Sequence, residues 1–266
     1  MPSTFYDSHA HLNDEAFAGD IEQVLERAIE AGIRKIFNVG YDETSSVLAL
    51  EQSARYPDLL VTVGLHPHDA SKFSSRTIPF LDSLAADPRV IAVGETGLDY
   101  HYMNSPAGMQ KQVFAAHLDL ARQLQLPVMI HCRSAYPDLI EILKAHDRPG
   151  RPPWQVHCFS GGAENLEELI ALDCYFSVGG SVTFRNFKSQ EIIRRIPQDR
   201  LLLETDSPYL APHPMRGKRN EPALLTYTAG AVAGIRRVDL EDISRVTNAN
   251  FERIFNLKLS PGPATE

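Results

Sequence analysis

The chain has 266 residues, 43% of them hydrophobic, enough to bury a sizeable core as one large α/β unit or two small ones. A formal net charge of −8 argues against a broad basic face that coats duplex nucleic acid, while leaving room for a local cationic groove. Three scattered cysteines, Cys132, Cys158 and Cys174, make no disulfide framework, and there is neither a signal-peptide pattern nor an apolar run of about 18 residues, so a cytoplasmic protein with no membrane partner is expected.

In chain order, short apolar runs alternate with amphipathic stretches. "TFYDSHAH" (4 to 11) precedes the helix-period segment "DIEQVLERAIEAG", and "RKIFNVG" (34 to 40), "LLVTVGLHP" (59 to 67) and "VIAVGETGLDY" (90 to 100) follow. "GMQKQVFAAHLDLARQLQ" then leads to "PVMIHC" (127 to 132) and "WQVHCFS" (154 to 160). "ENLEELIALD" leads to "CYFSVGG" (174 to 180), and "RLLLETDSP" (200 to 208) comes last. Apolar residues between the runs fall at three- and four-residue intervals, the period of a helix. Strand and helix in alternation imply parallel strands joined by right-handed crossovers, and eight such units match the size of an α/β (β/α)8 TIM barrel. The barrel is expected to span residues 1–258 as a single domain, with 259–266 a C-terminal tail; "RPGRPPW" (148 to 154) reads as a connection. An open doubly wound sheet more often has a glycine-rich turn after its first strand, where this chain carries "HAHLND" (9 to 14).

Active residues of such barrels sit at the C-terminal ends of the strands. Those ends carry His9 and His11, His66 and His68, Glu95 with Asp99 just beyond, His131, His157, and Glu204 with Asp206. His9 and His11 are two apart and so share a face of their strand, though alone they read as one core imidazole and one surface residue. Six of the ten histidines fall at these ends, and with carboxylates but no thiolate they make a borderline-to-hard donor set suited to Zn²⁺, Mn²⁺ or Mg²⁺. Cys132 and Cys158 each follow a histidine that points into the mouth, so both are expected to face the helices as small apolar residues. Of Glu204 and Asp206, one suffices as a ligand, and the other can hold a water or a ligand imidazole.

The motifs "DSHAHLN", "GETGLDYH", "HCRSA", "HCFSGG" and "LLLETDSPYLAP", in this order, resemble those of the TatD family of metal-dependent deoxyribonucleases, a branch of the amidohydrolase-like metallo-barrels. The resemblance runs from about Phe5 to about Phe255. It implies a TIM barrel with two divalent metal ions. By that resemblance His9, His11 and Asp206 hold one ion, His131 and His157 hold the second, and Glu95 bridges them. Relatives outside this branch often use a modified lysine as the bridge, whereas here no lysine stands at a strand end to compete with Glu95.

Two ions roughly 3.5–4 Å apart can activate a water and stabilise both oxygens of an in-line displacement at phosphorus, although such a centre can also open an amide or a lactone. The loop "SPYLAPHPMRGKRNEP" carries Arg216, Lys218 and Arg219, which suit a phosphate backbone or form an ordinary solvated surface. His66 lies beside the mouth and His68 reads as a loop residue; the resemblance covers both loops and implies phosphate recognition by His66 and Arg219. Tyr100, Tyr102 and Phe184 are either packing residues or stacking surfaces for a base. The expected protein is a metal-dependent hydrolase cleaving phosphodiester bonds in DNA, as an exonuclease on single-stranded ends. Glu95, Asp206 and Glu204 are the catalytic carboxylates, with Asp206 or Glu204 moving the proton. No protein partner is inferred. An amidohydrolase acting on a small cyclic amide or lactone, and a non-catalytic metal-binding scaffold, are the alternatives.

Overall fold

Runs rich in Val, Ile and Leu that carry no strict polar alternation suit strands buried on both faces, and parallel sheets bury them in this way. The computed structural model describes residues 3–257, so the expected tail at 259–266 lies outside the described residues. The strands are β1 (Phe5–Ala10), β2 (Ile33–Val39), β3 (Leu59–Val63), β4 (Val90–Asp99), β5 (Val128–Arg133), β6 (Trp154–Val156), β7 (Tyr175–Val178) and β8 (Leu201–Leu203). The helices are α1 (Ile21–Glu30), α2 (Glu43–Arg55), α3 (Thr77–Ala85), α4 (Ala107–Leu124), α5 (Tyr136–His146), α6 (Ala163–Ala171), α7 (Gln190–Arg195), α8 (Leu225–Arg236) and α9 (Leu240–Ile254).

All neighbouring strands pair in parallel, in the order β1 to β8. A bridge between Ala10 and Ser207 brings the two ends of the sheet together. There the His11 N–H donates to the Ser207 carbonyl at 2.7 Å, and the Asp206 N–H donates to the His9 carbonyl at 2.8 Å. The segments that close the (β/α)8 barrel are therefore the ones that carry three of the expected ligands.

The last three strands are shorter than their apolar runs. His157, Glu204 and Asp206 lie in the turns beyond them, where Cys158 (φ 43°) and Asp206 (φ 58°) adopt left-handed backbone that a ladder cannot continue. The start of α2 is fixed by local chemistry. Asp42 accepts from the Ser45 N–H at 2.7 Å while the Ser45 hydroxyl accepts from the Asp42 N–H at 2.9 Å, a reciprocal cap that starts α2 directly after β2.

One end of the barrel is closed by apolar side chains. Phe37, Ala92, Met129, Tyr175 and Leu202, from five different strands, are buried against Phe251 and Phe255 at the end of α9. Each phenylalanine so buried contributes about 1.5–3 kcal/mol. Among the described residues no helix is long and apolar enough to cross a membrane.

Candidate active site

The opposite end carries the expected ligands, and β4 shows how the chain aims them. Its register with β5 slips between Val93 and Thr96, and Gly94 within that bulge has φ 137°. A Cβ on Gly94 would stand 2.5 Å from the Met129 carbonyl oxygen, so only glycine fits. The bulge turns the next side chain, Glu95, into the barrel mouth, where its N–H donates to Gly40 O at 2.8 Å.

Glu95 is 3% exposed and its two oxygens face opposite groups. Oε2 lies 3.4 Å from His9 Nε2 and 3.5 Å from His11 Nε2, which are themselves 3.1 Å apart. Asp206 Oδ1 completes that side, 3.7 Å from His9 Nε2 and 3.6 Å from His11 Nε2. Oε1 lies 2.9 Å from both His131 Nδ1 and His157 Nε2, with His66 Nε2 at 3.4 Å. Ligand atoms bound to one ion at about 2.1 Å stand about 3.0–3.4 Å apart at tetrahedral or octahedral angles, so these spacings are close to those of donors around a shared cation. Groups of three, His9 with His11 and Asp206, His9 with Glu95 and His157, and His66 with Glu95 and His131, keep their donor atoms within 4.8 Å of one another. Oxygen and imidazole nitrogen at this spacing fit a divalent cation.

The surroundings set the protonation states that ligation needs. Burial lowers His9 to about 4, reinforced by the neighbouring His157, and lowers His66 to about 4 against the pull of Glu95, so both imidazoles are neutral with lone pairs to offer. Burial opposes ionisation of Glu95, but His157, His66 and His9 outweigh it and hold the carboxyl well below its usual range. Asp206 is pushed up to about 8, first by burial and then by the negative charges of Glu204 and Glu95, a crowding of carboxylates that a cation relieves.

Further groups orient the ligands. His11 Nδ1 donates to Val39 O at 3.1 Å, which leaves Nε2 unprotonated toward Asp206. His131 Nε2 donates to Asp99 Oδ2 at 3.1 Å, and the same oxygen accepts from His68 Nε2 at 3.0 Å. Asp99 Oδ1 accepts the N–H groups of His101 and Tyr102, both at 2.9 Å. Burial disfavours the Asp99 carboxylate, and these hydrogen bonds prevail to keep it ionised. Beneath the site Gln155 joins Ser8 and Ser177, and the Ser177 hydroxyl donates to Glu204 Oε2 at 2.5 Å.

All six expected ligands, His9, His11, Glu95, His131, His157 and Asp206, therefore meet at one place, and His66 stands with them. Over them lies a cavity of about 780 Å³. Glu204 is placed otherwise than as a proton carrier at the cavity wall. It is fully buried, accepts from Ser177, and has its Oε1 3.6 Å from His157 Nδ1, the position of a group that orients an imidazole.

The three cations of the last loop do not reach the cluster. Arg219 donates to both oxygens of Asp20 at 2.7 and 2.6 Å and to Ala16 O at 2.6 Å, and lies over the Phe17 ring, which anchors the loop to the start of α1. Arg216 lies 4.6 Å over the Phe184 ring, and Lys218 is exposed. Arg219 is thus engaged by Asp20 and not turned toward the cavity, a partner that spacing in the loop does not reveal.

Two other expectations change. His68 is part of the cavity wall through Asp99 and not a plain loop residue. Cys132 is buried in the apolar core as expected, but Cys158 does not face the helices. A Cβ on Gly179 would be 3.5 Å from Glu204 Oε1 and 3.8 Å from Cys158 Sγ, so thiol and carboxylate share one neighbourhood. Burial and then the charges of Glu204 and Asp206 push this thiol up, which makes it a poor nucleophile. Its left-handed backbone ends the strand alternation on which the expectation rests. Sequence reasoning also passed over Arg133, which lines the cavity with its guanidinium 4.7 Å above the Tyr102 ring. It lies two residues after His131, on the same face, and that spacing was its available signal.

Comparison with known proteins places this arrangement among metal-dependent hydrolases. The family model described as TatD related DNase matches residues 6–256. The chain is 40% identical over 253 residues to the metal-dependent hydrolase YabD of Bacillus subtilis, with 95% of this chain and 99% of that protein covered. It is 38% identical over 259 residues to the 3'-5' ssDNA/RNA exonuclease TatD of Erwinia billingiae, with 95% of this chain and 99% of that protein covered. Among solved structures, the TatD homologue YJJV of Escherichia coli superposes with a TM-score of 0.90 at 31% identity, over 97% of this chain and 100% of that one.

Proposed function

The chain belongs to the TatD related DNase family, metal-dependent hydrolases of phosphodiester bonds, and from that premise we propose that it removes nucleotides from the end of single-stranded DNA with two divalent ions. The observation that carries this reading is Glu95, whose two carboxylate oxygens each face a separate pair of histidines. His9, His11 and Asp206 would hold one ion and His131 and His157 the other, with Glu95 placed to be shared between them. When bound, the ions supply an acidified water and charge stabilisation for the attacking and leaving oxygens.

The chain's own groups do the rest. His11 and His131 are held in the ligating tautomer by Val39 and Asp99. Glu204 holds His157 from beneath. Asp206 faces the cavity and is the carboxylate that takes the proton from the attacking water and returns it to the leaving oxygen. His66 and Arg133 line the cavity and bind non-bridging phosphate oxygens, and Tyr102, 54% exposed at the rim, stacks on a base. A recessed mouth at the end of a barrel admits a strand end more readily than an intact duplex. That supports an exonuclease, as does the name of the Erwinia relative.

The test is turnover by protein reconstituted separately with Zn²⁺, Mg²⁺ and Mn²⁺, offered single-stranded and duplex DNA labelled at either end, RNA, and a panel of cyclic amides and lactones. Single-nucleotide release from one end of single-stranded DNA is expected. Hydrolysis of an amide or lactone with the DNA left intact overturns the reading.

A further inference from the structure

A second depression, a groove of about 640 Å³, lies on the outer side of the loop that walls the metal cavity. Its floor is α8, where Tyr227, Ala231, Gly234 and Ile235 recur at helical spacing along one face. Arg185, Arg194 and Arg237 line it and no carboxylate does, in a chain of net charge −8. Among the described residues only Arg194 of these three has a carboxylate within ion-pair reach, Glu191 at 3.4 Å. Aromatic surface is interleaved with the cations: Tyr227 is 42% exposed, and Phe184 lines the groove beneath the Arg216 guanidinium.

The helix floor supplies an independent observation. Gly230 and Gly234 lie inside α8, where each is about 1 kcal/mol less favourable than alanine. A Cβ on either would meet nothing within 4 Å, so packing within the chain does not require them. Beside Tyr227 they leave a strip of bare helix that another molecule can approach closely.

The groove also lies close to the site along the chain. Leu210 lines the metal cavity and His213 lines the groove. Ala211 and Pro212 lie between them, so the separation along the chain is at most about 10 Å. That is the length of about three stacked nucleotides at 3.4 Å per step. The wall between is tied down where the His213 N–H donates to Thr183 Oγ1 at 2.7 Å.

We infer that this groove holds the body of a single-stranded nucleic acid whose end lies in the metal cavity, with its phosphates on Arg185, Arg237 and Arg216 and its bases against Tyr227 and Phe184. The inference rests on the nuclease reading above. It makes the enzyme sensitive to substrate length: a dinucleotide fills only the metal cavity, whereas a longer strand reaches the groove.

The variants are Arg185→Glu and Gly234→Glu. The first reverses an exposed charge; the second puts a better helix former where its Cβ meets open space, so both fold. Anisotropy of fluorescein-labelled dT12 and the kcat/KM of d(TpT) and dT12 are measured on the wild-type protein and both variants. Each variant is expected to bind dT12 about tenfold more weakly, with a salt slope flatter by about 0.7 for each phosphate that the variant no longer neutralises. Cleavage of d(TpT) stays unchanged. Binding and KM for dT12 that match the wild type in both variants overturn the inference. If the wild-type protein cleaves neither substrate, the nuclease reading fails while anisotropy still decides the groove. Tighter dT12 binding by the wild type then sustains it, and equal binding overturns it.

Discussion

At the N-terminal end of the barrel Phe37, Phe251 and Phe255 pack with ring centroids 4.3 to 5.2 Å apart, and the strands contribute Met129 and Leu202 to the same cluster. At the C-terminal end the same strands and the turns beyond them present His9, His11, His66, His131 and His157 around Glu95 and Asp206. The first end is favoured by area removed from water, which is non-directional and scales with size. The second buries charge and imidazole at a cost, and is tolerable only where each group faces a donor, an acceptor or a cation. One end therefore governs stability and the other chemistry, a separation that substitutions can break or sharpen.

The largest effect is expected at the polar end. Glu95→Ala removes the carboxylate between the two donor groups and should lower kcat by about 10⁴-fold, roughly 5.5 kcal/mol in the barrier. Because the surrounding histidines hold this carboxyl ionised in the folded state, its loss also lowers the thermal stability of the metal-free protein, by less than the effect on turnover. Kinetics and calorimetry, with elemental analysis of the same preparation, check both. A large loss of stability with normal turnover per bound metal would erase the distinction between the ends.

At the apolar end Phe251→Ala should destabilise the protein by about 3–5 kcal/mol, through the transfer energy of the missing ring and the cavity it leaves, while the folded fraction keeps its metal content and KM. Urea unfolding with metal analysis reads both.

His117 sharpens the comparison, since it is an imidazole used for packing. It is fully buried on α4, with Nδ1 donating to Val113 O at 2.8 Å and Nε2 accepting the Leu65 N–H at 3.0 Å. Burial lowers it from 6.5 to about 4. The unfolded chain therefore binds a proton that the folded one refuses throughout that window. The contribution is full above pH 6.5 and lost as pH falls toward 4, by roughly 3 kcal/mol in all. In His117→Gln, urea titrations between pH 7 and 5 should show a stability slope shallower by about one proton.

Glu204→Gln keeps the shape but removes the charge facing His157, and should weaken metal affinity about 10- to 100-fold, read by titration with a competing chelator. The smallest effect is expected from Arg219→Ala. Loss of a half-exposed ion pair with Asp20 costs about 1 kcal/mol or less, and KM for an oligonucleotide should not move. A raised KM with unchanged stability would return Arg219 to the phosphate-binding role that its loop first suggests.

The eight strand–helix units were legible because each is a local pattern of about ten residues, and apolar periodicity reports it without knowledge of the partner strand. The ligand types were legible for a related reason: a barrel presents the ends of its strands, so His9, His131 and Asp206 announce themselves by position in the chain. The resemblance to a known family supplied the grouping that position alone leaves open. The short strands β6 and β8 were overestimated because an apolar run does not say where the ladder stops. His157, Glu204 and Asp206 reach the mouth from turns and not from strands.

What the sequence determines by itself is the sequence of elements and the kinds of donor at the mouth, because both depend on contacts within a few residues. The tertiary structure decides how those donors are shared. The bulge at Gly94 turns Glu95 so that its two oxygens face different histidines. The left-handed turn at Cys158 brings a thiol beside Glu204, and Asp20, far away in sequence, pairs with Arg219. Each of these depends on a backbone angle or a partner from another unit of the barrel, and residue spacing carries no information about either.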